Sequence, residues 1–482
     1  MKFYDRTREL QRLDEIAATG TDAAHLVVIT GRRRIGKTAL IKHFGEGRAG
    51  LIYFFVGRKK PQILLDEFTS LLAERIPLLK SVKITSFEDF FAILFEQMAA
   101  SPLFIVFDEF QNFLYVDPSV FSTLQHLWDN NQDRAKGAII CVGSIQTLMR
   151  NIFEGNKEPL FGRATAKIHL TPLAMEVIAT ILADHQCRPK DELLFFTTLF
   201  GGVPKYYFLL DRHRMFASRR AEIISGIFCE PDAILQNEGR ELLIEEFGKN
   251  HQMYFSIMQV IAGGETQMAR IADSAGLNTG TLPKYLDELI SYYQVIERRV
   301  PVTASRSEQK NGRYHIADPL LRFWFRYIFR NQSLIELGET VRLTKKIMDD
   351  LPTLMGHSFE NLTRDLLTAC NDGSIIPFVF DKLGGYWNRT GSVEIDIVAL
   401  DDTGENILFG ECKLSGERFT IADARKLKAK AAQVVWNNTS RKEFFLFISH
   451  EPVSPARRQE LKNEGIGVVE LSQMLKPNGN SI

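Results

Sequence analysis

The sequence predicts an α/β protein with a parallel sheet in its first half, a helical middle segment and a second α/β segment towards its C-terminus. Residues 1–230 alternate continuous apolar runs with helical stretches, as strands buried on both faces of a parallel sheet do. Short amphipathic helices follow, and strands and helices then alternate again. These changes of pattern predict three domains, at 1–232, 233–335 and 345–476.

The overall composition excludes several classes of protein. With 482 residues the chain is too long for one ordinary hydrophobic core, and typical domain sizes suggest about three domains. Since 59 Lys and Arg balance 59 Asp and Glu, no overall charge attracts nucleic acid or membranes, and any such contact requires a local patch. The five cysteines show no C-x-x-C spacing, which argues against a disulfide framework or a zinc site. Without an apolar leader or a membrane-length apolar run, the chain is predicted to be cytoplasmic.

The first segment contains five apolar runs that are predicted to form the parallel sheet. The first run leads into GRRRIGKT at 31–38, which matches G-x-x-x-x-G-K-[ST] between a strand and a helix. Such a loop turns its backbone N–H groups towards phosphates. The predicted strands are 25–30, 51–57, 103–109, 138–144 and 166–172.

This loop is predicted to bind ATP. Gly31 and Gly36 allow it to turn, Lys37 is expected to reach the β- and γ-phosphates, and the Thr38 hydroxyl is expected to ligate Mg²⁺. The cofactors are therefore ATP and Mg²⁺. The predicted nucleotide-binding residues are Gly31, Arg32, Arg33, Arg34, Ile35, Gly36, Lys37, Thr38, Ala39 and, from a later strand, Ser144.

Two adjacent acids follow the strand LFIVF. Asp108 is expected to hold the Mg²⁺ shell, and Glu109 to orient or deprotonate the attacking water. The next strand ends at Ser144, with Gln146 close by. Ser144 is expected either to contact the γ-phosphate or to cap a helix, and the sequence leaves both functions open.

Residues 1–230 resemble the archaeal-type ATPases, relatives of the AAA+ and STAND P-loop proteins. The segments FYDRTRELQRL, GRRRIGKT, FDEFQ, VGSIQTLM, PLFGRAT and GGVPKYY occur here in that family's order. The resemblance implies a P-loop NTPase core with an additional strand, in which the strands of Asp108 and Ser144 lie beside the phosphate-loop strand. It also implies an N-terminal segment near the adenine, an arginine finger or sensor at Arg163, and a helical lid at Pro204. A surface salt bridge is the alternative for Arg163.

The segment 265–301 fits a winged helix-turn-helix. Its turn is AGLN, and two wing strands, in QVIERRVP and GRYHIAD, are expected to follow. The polar linker 303–312 is expected to be a mobile turn. The helices are predicted to bury Met268, Ile271, Ala272, Leu282, Leu286 and Leu289, and to expose Asn278, Thr279, Thr281 and Lys284.

Two functions of this winged helix remain open, DNA binding and a rigid connection between protein segments. Positive charge comes only from Lys284, Arg298, Arg299 and Arg313, while Asp287 and Glu288 oppose it.

The strand pair EIDIVALDDTGENILFGECK, residues 394–413, brings acids together. A turn centred in DDTGEN places Leu400 opposite Ile407 and Val398 opposite Phe409, and therefore Asp396 opposite Glu411. Carboxylates at that spacing repel each other unless a divalent cation lies between them. Lys413 is expected on the same face, and Ile395, Ile397, Leu408 and Cys412 on the other.

The pattern Asp396, Glu411-x-Lys413 resembles the core of the PD-(D/E)XK nucleases. Glu360 in GHSFENLTRDLL adds an acid from a preceding helix, with an i,i+4 pair to Arg364 as its alternative. The third segment is thus similar to the restriction-endonuclease-like domain that ends many archaeal-type ATPases, joined through YHIADPLLRFWFRY. The resemblance implies metal ligation by Glu360, Asp396 and Glu411. The dipeptide Pro-Asp of the pattern is missing, because Ile395 precedes Asp396.

Taken together, these patterns predict an ATP-binding and -hydrolysing protein that couples its nucleotide state to a metal-dependent DNA-nuclease-like domain. The alternatives are a regulatory switch ATPase that binds DNA or protein without cutting it, and a protein-remodelling machine. DNA, a protein partner and a second copy of the chain are candidate partners, and a membrane is not. The predicted catalytic residues are Glu109, Arg163, Glu360, Asp396, Glu411 and Lys413, and the predicted metal ligands are Thr38, Asp108, Glu360, Asp396 and Glu411.

Overall fold

A computed structural model describes residues 2–48, 50–81, 83–187, 189–247, 251–304 and 311–475. These residues form two compact units, Met1–Leu173 with Val203–Arg212, and Ala174–Gly202 with His213–Ile482. The three predicted domains stay a prediction. Most of the predicted mobile turn and the C-terminal KPNGNSI, predicted to be frayed, lie outside the described residues.

The first unit is built on a five-stranded sheet in the order β2-β3-β4-β1-β5, with all neighbours parallel. This confirms the predicted parallel α/β fold. The continuous apolar runs arise because helices cover both faces, so that every residue of β4 is buried. The strands are β1 His25–Thr30, β2 Leu51–Phe55, β3 Leu103–Asp108, β4 Gly137–Gly143 and β5 Ala166–His169.

The strand order differs in one respect from that expected from the resemblance. Of the two strands that lead to Asp108 and Ser144, β4 pairs directly with β1, whereas β3 pairs with the far side of β4. Asp108 therefore reaches the loop after β1 across an intervening strand. The α-helices of this unit are Thr7–Thr19, Lys37–Gly45, Pro61–Ala73, Phe87–Ala100, Phe113–Val116, Ser119–Asn131, Gln146–Glu154 and Pro204–Arg212, with 3₁₀ turns at Pro77–Ser81 and Phe110–Asn112.

The second unit begins with helices and a two-stranded antiparallel ribbon, β6 Ile296–Arg299 with β7 Arg313–Ile316. In the predicted winged-helix segment the expected apolar side chains are buried, except for Met268, which is 40% exposed because it opens its helix. The α-helices up to this ribbon are Met175–Asp184, Pro189–Phe200, Arg220–Ile224, Glu238–Phe247, His251–Ala262, Met268–Ser274 and Leu282–Asp287, with π-helical turns at Ser225–Cys229 and Glu288–Tyr292.

A second five-stranded sheet ends this unit, in the order β12-β11-β10-β9-β8. β8, β9 and β10 are antiparallel, and β10, β11 and β12 are parallel. The strands are β8 Lys382–Trp387, β9 Glu394–Leu400, β10 Asn406–Lys413, β11 Lys442–Ser449 and β12 Gly467–Glu470. The α-helices are Pro319–Phe323, Gln332–Glu336, Thr340–Ala369, Ile421–Ala431, Pro455–Asn463 and Leu471–Met474, with a π-helical turn at Trp324–Ile328 and 3₁₀ turns at Phe329–Asn331 and Gly416–Arg418.

The predicted hairpin register is confirmed, since Leu400 pairs with Ile407 and Val398 with Phe409. The position predicted for Ile395 is wrong, because this side chain joins the buried cluster of Val398 and Phe409 instead of the opposite face. The cause is a β-bulge: Gly384 pairs with Val398 but Tyr386 with Ile395, so β9 has one extra residue there. The bulge includes Asp396.

Among the described residues, no single helix is long and apolar enough to cross a membrane. Within the same described ranges, the bent pair Glu192–Phe200 and Pro204–Arg212 meets the length and composition requirement when its two helices are taken together.

Candidate functional site

The loop between β1 and the helix Lys37–Gly45 has the backbone that phosphate binding requires. Arg34 and Gly36 have φ of 70° and 98°, so successive N–H groups turn inward. The Lys37 side chain is buried and donates to the carbonyls of Gly31, at 2.7 Å, and Arg32, at 3.0 Å. Its ammonium group therefore lies along the inside of the loop.

Thr38 and Asp108 meet beside this loop. The Thr38 hydroxyl donates to Asp108 Oδ2 at 2.8 Å, and the Tyr53 hydroxyl donates to the same oxygen. Burial and this bond to Asp108 raise the pKa of Tyr53. A hydroxyl and a carboxylate in contact at the start of a helix fit the oxygen ligands that Mg²⁺ prefers. The sequence analysis did not identify Tyr53 as a site residue, because its contact with Asp108 depends on the register in which β2 and β3 pair.

Glu109 is held by two donors. Its Oε2 accepts from the Ser144 hydroxyl at 2.7 Å and from the Gln111 side-chain amide. Its φ of 57° lies in the left-handed region, which is uncommon for a residue other than glycine. Ser144 thus contacts the acid predicted to act on water. Gln111 is a further candidate residue that the sequence did not single out.

A prediction for Gly143 follows from the crowding behind these side chains. A Cβ here would lie 2.3 Å from Met149 Cγ and 2.7 Å from Gln111 Oε1. Gly143→Ala is therefore expected to destabilise the protein by about 1–3 kcal/mol and to displace the Gln111 amide from Glu109. Urea unfolding measures the first effect and ATP turnover the second. Gly356→Ala is the control, since no atom lies near its Cβ position. Because Gly356 lies inside the helix Thr340–Ala369, alanine there is expected to stabilise the protein by about 0.5–1 kcal/mol and to leave ATP turnover unchanged; equal stability of the two variants contradicts the prediction.

Two arginines of the first unit have defined partners. Arg163 forms a two-point ion pair with Asp129, at 2.9 and 2.8 Å, and donates to the Pro159 carbonyl. This is the arrangement expected of the salt-bridge alternative, and the function of Arg163 stays a prediction. Arg6, from the predicted N-terminal segment, is buried and donates to the carbonyl of Ile35 in the loop at 3.2 Å.

In the second unit the predicted acids lie close together. The Cys412 N–H donates to Asp396 Oδ2 at 2.9 Å, and continuing the hairpin register by one pair sets Asp396 opposite Glu411. Burial, followed by the charges of Glu360 and Glu411, raises the pKa of Asp396 to about 8, against the lowering effect of the Cys412 N–H bond and the Lys413 charge. Three carboxyl groups therefore influence one another at the bulge of β9.

Two of these acids, Glu411 and Glu360, form ion pairs with basic side chains. Glu411 is 2.7 Å from Lys413 Nζ and 3.5 Å from Lys430 Nζ, and Glu360 is 3.8 Å from Arg364. Burial lowers the pKa of Lys413, but the hydrogen bond and the charge of Glu411 raise it by more, so the pKa lies above its usual value. Within the described ranges, no group of three or more His, Cys, Asp or Glu side chains is arranged to hold a metal ion. Metal binding here requires Glu411 and Glu360 to turn away from these partners.

The four basic side chains of the predicted winged helix divide into two pairs. Lys284 and Arg298 are exposed. Arg299 turns inward and donates to Glu297 and Asn361, and Arg313 pairs with Glu394 of β9 at 2.7 Å.

The ribbon is also fixed to the C-terminal sheet by its backbone. The Val302 N–H donates to the Gly385 carbonyl at 2.9 Å, and the Trp387 indole donates to the Asn311 carbonyl. Such a contact fits the connector alternative.

The fold and the loop geometry define a P-loop ATPase of the parallel α/β class, and comparisons with known proteins agree. Residues 3–209 match the family described as "ATPase domain predominantly from Archaea", and residues 324–430 match "Archaea bacterial proteins of unknown function". The "Uncharacterized protein MJECL04" of Methanocaldococcus jannaschii is 31% identical over 415 residues, which cover 85% of this chain and 87% of that protein. The chain therefore belongs to the same family as this relative, and its residues 3–209 carry the archaeal-type ATPase domain.

Solved structures with the same fold include the Walker-type ATPase PABY2304 of Pyrococcus abyssi. It has a TM-score of 0.50 and 19% identity, over 67% of this chain and 96% of that chain. The ORC2 protein of Aeropyrum pernix has a TM-score of 0.43 and 15% identity, over 69% of this chain and 95% of its own. At 19% identity the likeness to PABY2304 concerns the fold alone.

Proposed function

We propose that the protein hydrolyses ATP with Mg²⁺ at the loop 31–38. The observation that carries this proposal is the contact of Thr38 with Asp108 beside the inward-turned Lys37, with Glu109 next in the chain. The loop N–H groups and Lys37 would hold the phosphates, and Thr38 and Asp108 would hold Mg²⁺, which neutralises charge that develops on the phosphates. Tyr53 positions Asp108 for this function.

Glu109 is proposed to act on the attacking water. Ser144 and Gln111 both donate to Oε2, so Oε1 is the oxygen proposed to accept a proton from water while Oε2 is held in place. To contact the γ-phosphate, Ser144 would have to leave Glu109.

Glu109→Gln is expected to retain ATP binding and to reduce turnover by about 10²–10⁴-fold, because the amide cannot accept the proton. Phosphate release under single-turnover conditions measures the rate, and a fluorescent nucleotide measures the binding. Glu74→Gln, which changes an exposed acid of the same unit, is the control. Hydrolysis by Glu109→Gln at the wild-type rate would show that Glu109 is not the base.

The C-terminal sheet is proposed to be a metal-dependent nuclease-like domain. The observation in favour is the group of Glu360, Asp396 and Glu411, whose mutual repulsion a cation would remove. Lys413 is placed beside Glu411 to stabilise negative charge on a phosphodiester. In this proposal the ATPase controls access to the site, and the ribbon β6–β7 acts as a connector.

A second candidate function is a switch ATPase that binds DNA or protein without cutting it. The ion pairs of Glu411 with two lysines favour it, since they satisfy that acid without a metal. A cleavage assay on single-stranded, duplex and branched DNA with Mg²⁺ or Mn²⁺, with and without ATP, separates the two. Cleavage that depends on the metal supports the nuclease, and binding without cleavage supports the switch.

A further inference from the structure

The second unit contains a cavity of about 310 Å³ into which three arginines converge. It lies between β6, the helix Pro319–Phe323 and the long helix Thr340–Ala369. Its polar lining consists of Thr197, Glu297, Arg299, Arg322, Ser358, Asn361, Arg364 and Asp365.

Two of these guanidinium groups share one neutral acceptor. Arg299 and Arg364 donate to the same oxygen, Asn361 Oδ1, at 2.8 and 2.9 Å. Glu297 pairs with Arg299, while the nearest carboxylate of Arg364 is that of Glu360 at 3.8 Å. Asp365 attracts Arg364 and Arg299 electrostatically, but in the described chain it forms an ion pair with neither, so these like charges are held together with incomplete compensation, which is costly in a protein interior.

Arg322 is the least compensated of the three. Its Nη2 donates to the Ser358 hydroxyl at 2.8 Å, and its buried Nε has no hydrogen-bond partner. In the part of the chain that the structure describes, no carboxylate lies within ion-pair distance of it. A guanidinium group in this state is destabilising unless an anion is supplied.

Burial and the concentration of positive charge around Arg322 lower the pKa values of the basic groups there. Burial and the neighbouring Arg299 lower the pKa of Arg322 to about 10, against the attraction of Asp318 and Glu297. Burial and four arginines, first among them Arg299, lower the pKa of His315 to about 3. His315 is therefore neutral at physiological pH and adds no further positive charge.

We propose that this cavity binds the phosphate group of a small ligand, with Arg322 as its main anchor and Arg364 and Ser358 as further donors. A phosphate dianion supplies the missing negative charge, and its oxygens match the planar fork of a guanidinium group. The volume is at the lower end of ligand pockets, which fits a small molecule such as inorganic phosphate or a mononucleotide. The proposal depends on neither the ATPase nor the nuclease assignment, because it rests on the cavity and its charges.

The test uses the full chain carrying Lys37→Ala, so that the loop 31–38 contributes no phosphate binding. Inorganic phosphate and AMP are titrated by calorimetry at constant ionic strength set with KCl, and the melting temperature is followed in parallel. Both ligands are expected to bind and to raise the melting temperature. Adding Arg322→Gln is expected to weaken binding by at least about tenfold and to abolish the rise, since a charge-assisted contact is lost. Without ligand this variant is expected to melt no lower than its parent.

Arg342→Gln is the control, because Arg342 is an exposed arginine on the long helix Thr340–Ala369, which also lines the cavity. It is expected to leave phosphate binding unchanged. If Arg322→Gln does not fold, Arg364→Gln provides the same comparison. AMP that binds more tightly than phosphate identifies a nucleotide as the ligand, and equal affinities identify the phosphate group alone. Equal binding by the Arg322→Gln and Arg342→Gln proteins, or no binding of either ligand, overturns the proposal.

Discussion

Lys37→Ala is expected to abolish nucleotide binding and, with it, ATP hydrolysis. Lys37 is the first residue of the helix after the loop, its side chain is buried, and its ammonium group lies along the loop carbonyls. Alanine removes a positive charge from the place where the β- and γ-phosphates would lie. Each charge-assisted hydrogen bond contributes about 1.5–3 kcal/mol, so two such bonds correspond to a loss of at least about 100-fold in affinity.

Titration with a fluorescent ATP analogue measures this loss, and phosphate release measures the activity. Lys42→Ala, an exposed lysine on the same helix, is expected to bind and hydrolyse ATP as the wild type does. Circular dichroism checks that both variants are folded. Wild-type affinity in Lys37→Ala would mean that the loop is not the nucleotide site.

The sequence was sufficient where short-range patterns determine the structure. The strand β4 is buried along its whole length, so its apolar run is visible without knowledge of its neighbours. The loop 31–38 is contiguous in the chain, and the glycines that allow its backbone to turn are visible in the sequence. The hairpin register followed from the turn alone, because two strands joined by a tight turn have few possible pairings.

Contacts between distant segments could not be predicted in the same way. Tyr53 contacts Asp108, 55 residues away, only because β2 and β3 pair in one register. Arg299 was predicted to add positive charge to the winged helix, but its side chain donates to Glu297 and to Asn361, which lies 62 residues further along the chain. The bulge that moves Ile395 comes from the pairing of β8 with β9, and no local signal marks it.

Asp396→Asn is expected to remove a dependence of stability on pH. The folded pKa of Asp396 is raised to about 8, whereas an unfolded aspartate titrates near pH 4, at about 3.9. Between these values the folded state holds a proton that the unfolded state lacks, so the free energy of unfolding falls as pH rises, by up to about 1.4 kcal/mol per pH unit. Asparagine stays neutral at every pH, so the free energy of unfolding of the variant lacks this contribution to the pH dependence. In metal-free buffer above pH 8 the variant is therefore expected to be more stable than the wild type.

Metal should reverse that order, and this makes the decisive test of the acidic group. Mn²⁺ needs ionised carboxylates, so at pH 8 it is expected to bind and stabilise the wild type and to leave Asp396→Asn unchanged, and any DNA cleavage should be lost in the variant. Asp402→Asn, in the exposed hairpin turn, is the control and should behave as the wild type. Calorimetry with Mn²⁺ alone is preferable to a cleavage assay, because it requires no knowledge of the DNA substrate. Equal uptake of Mn²⁺ by wild type and Asp396→Asn would exclude a metal site at this hairpin, and the lysines beside Glu411 would then be its permanent partners.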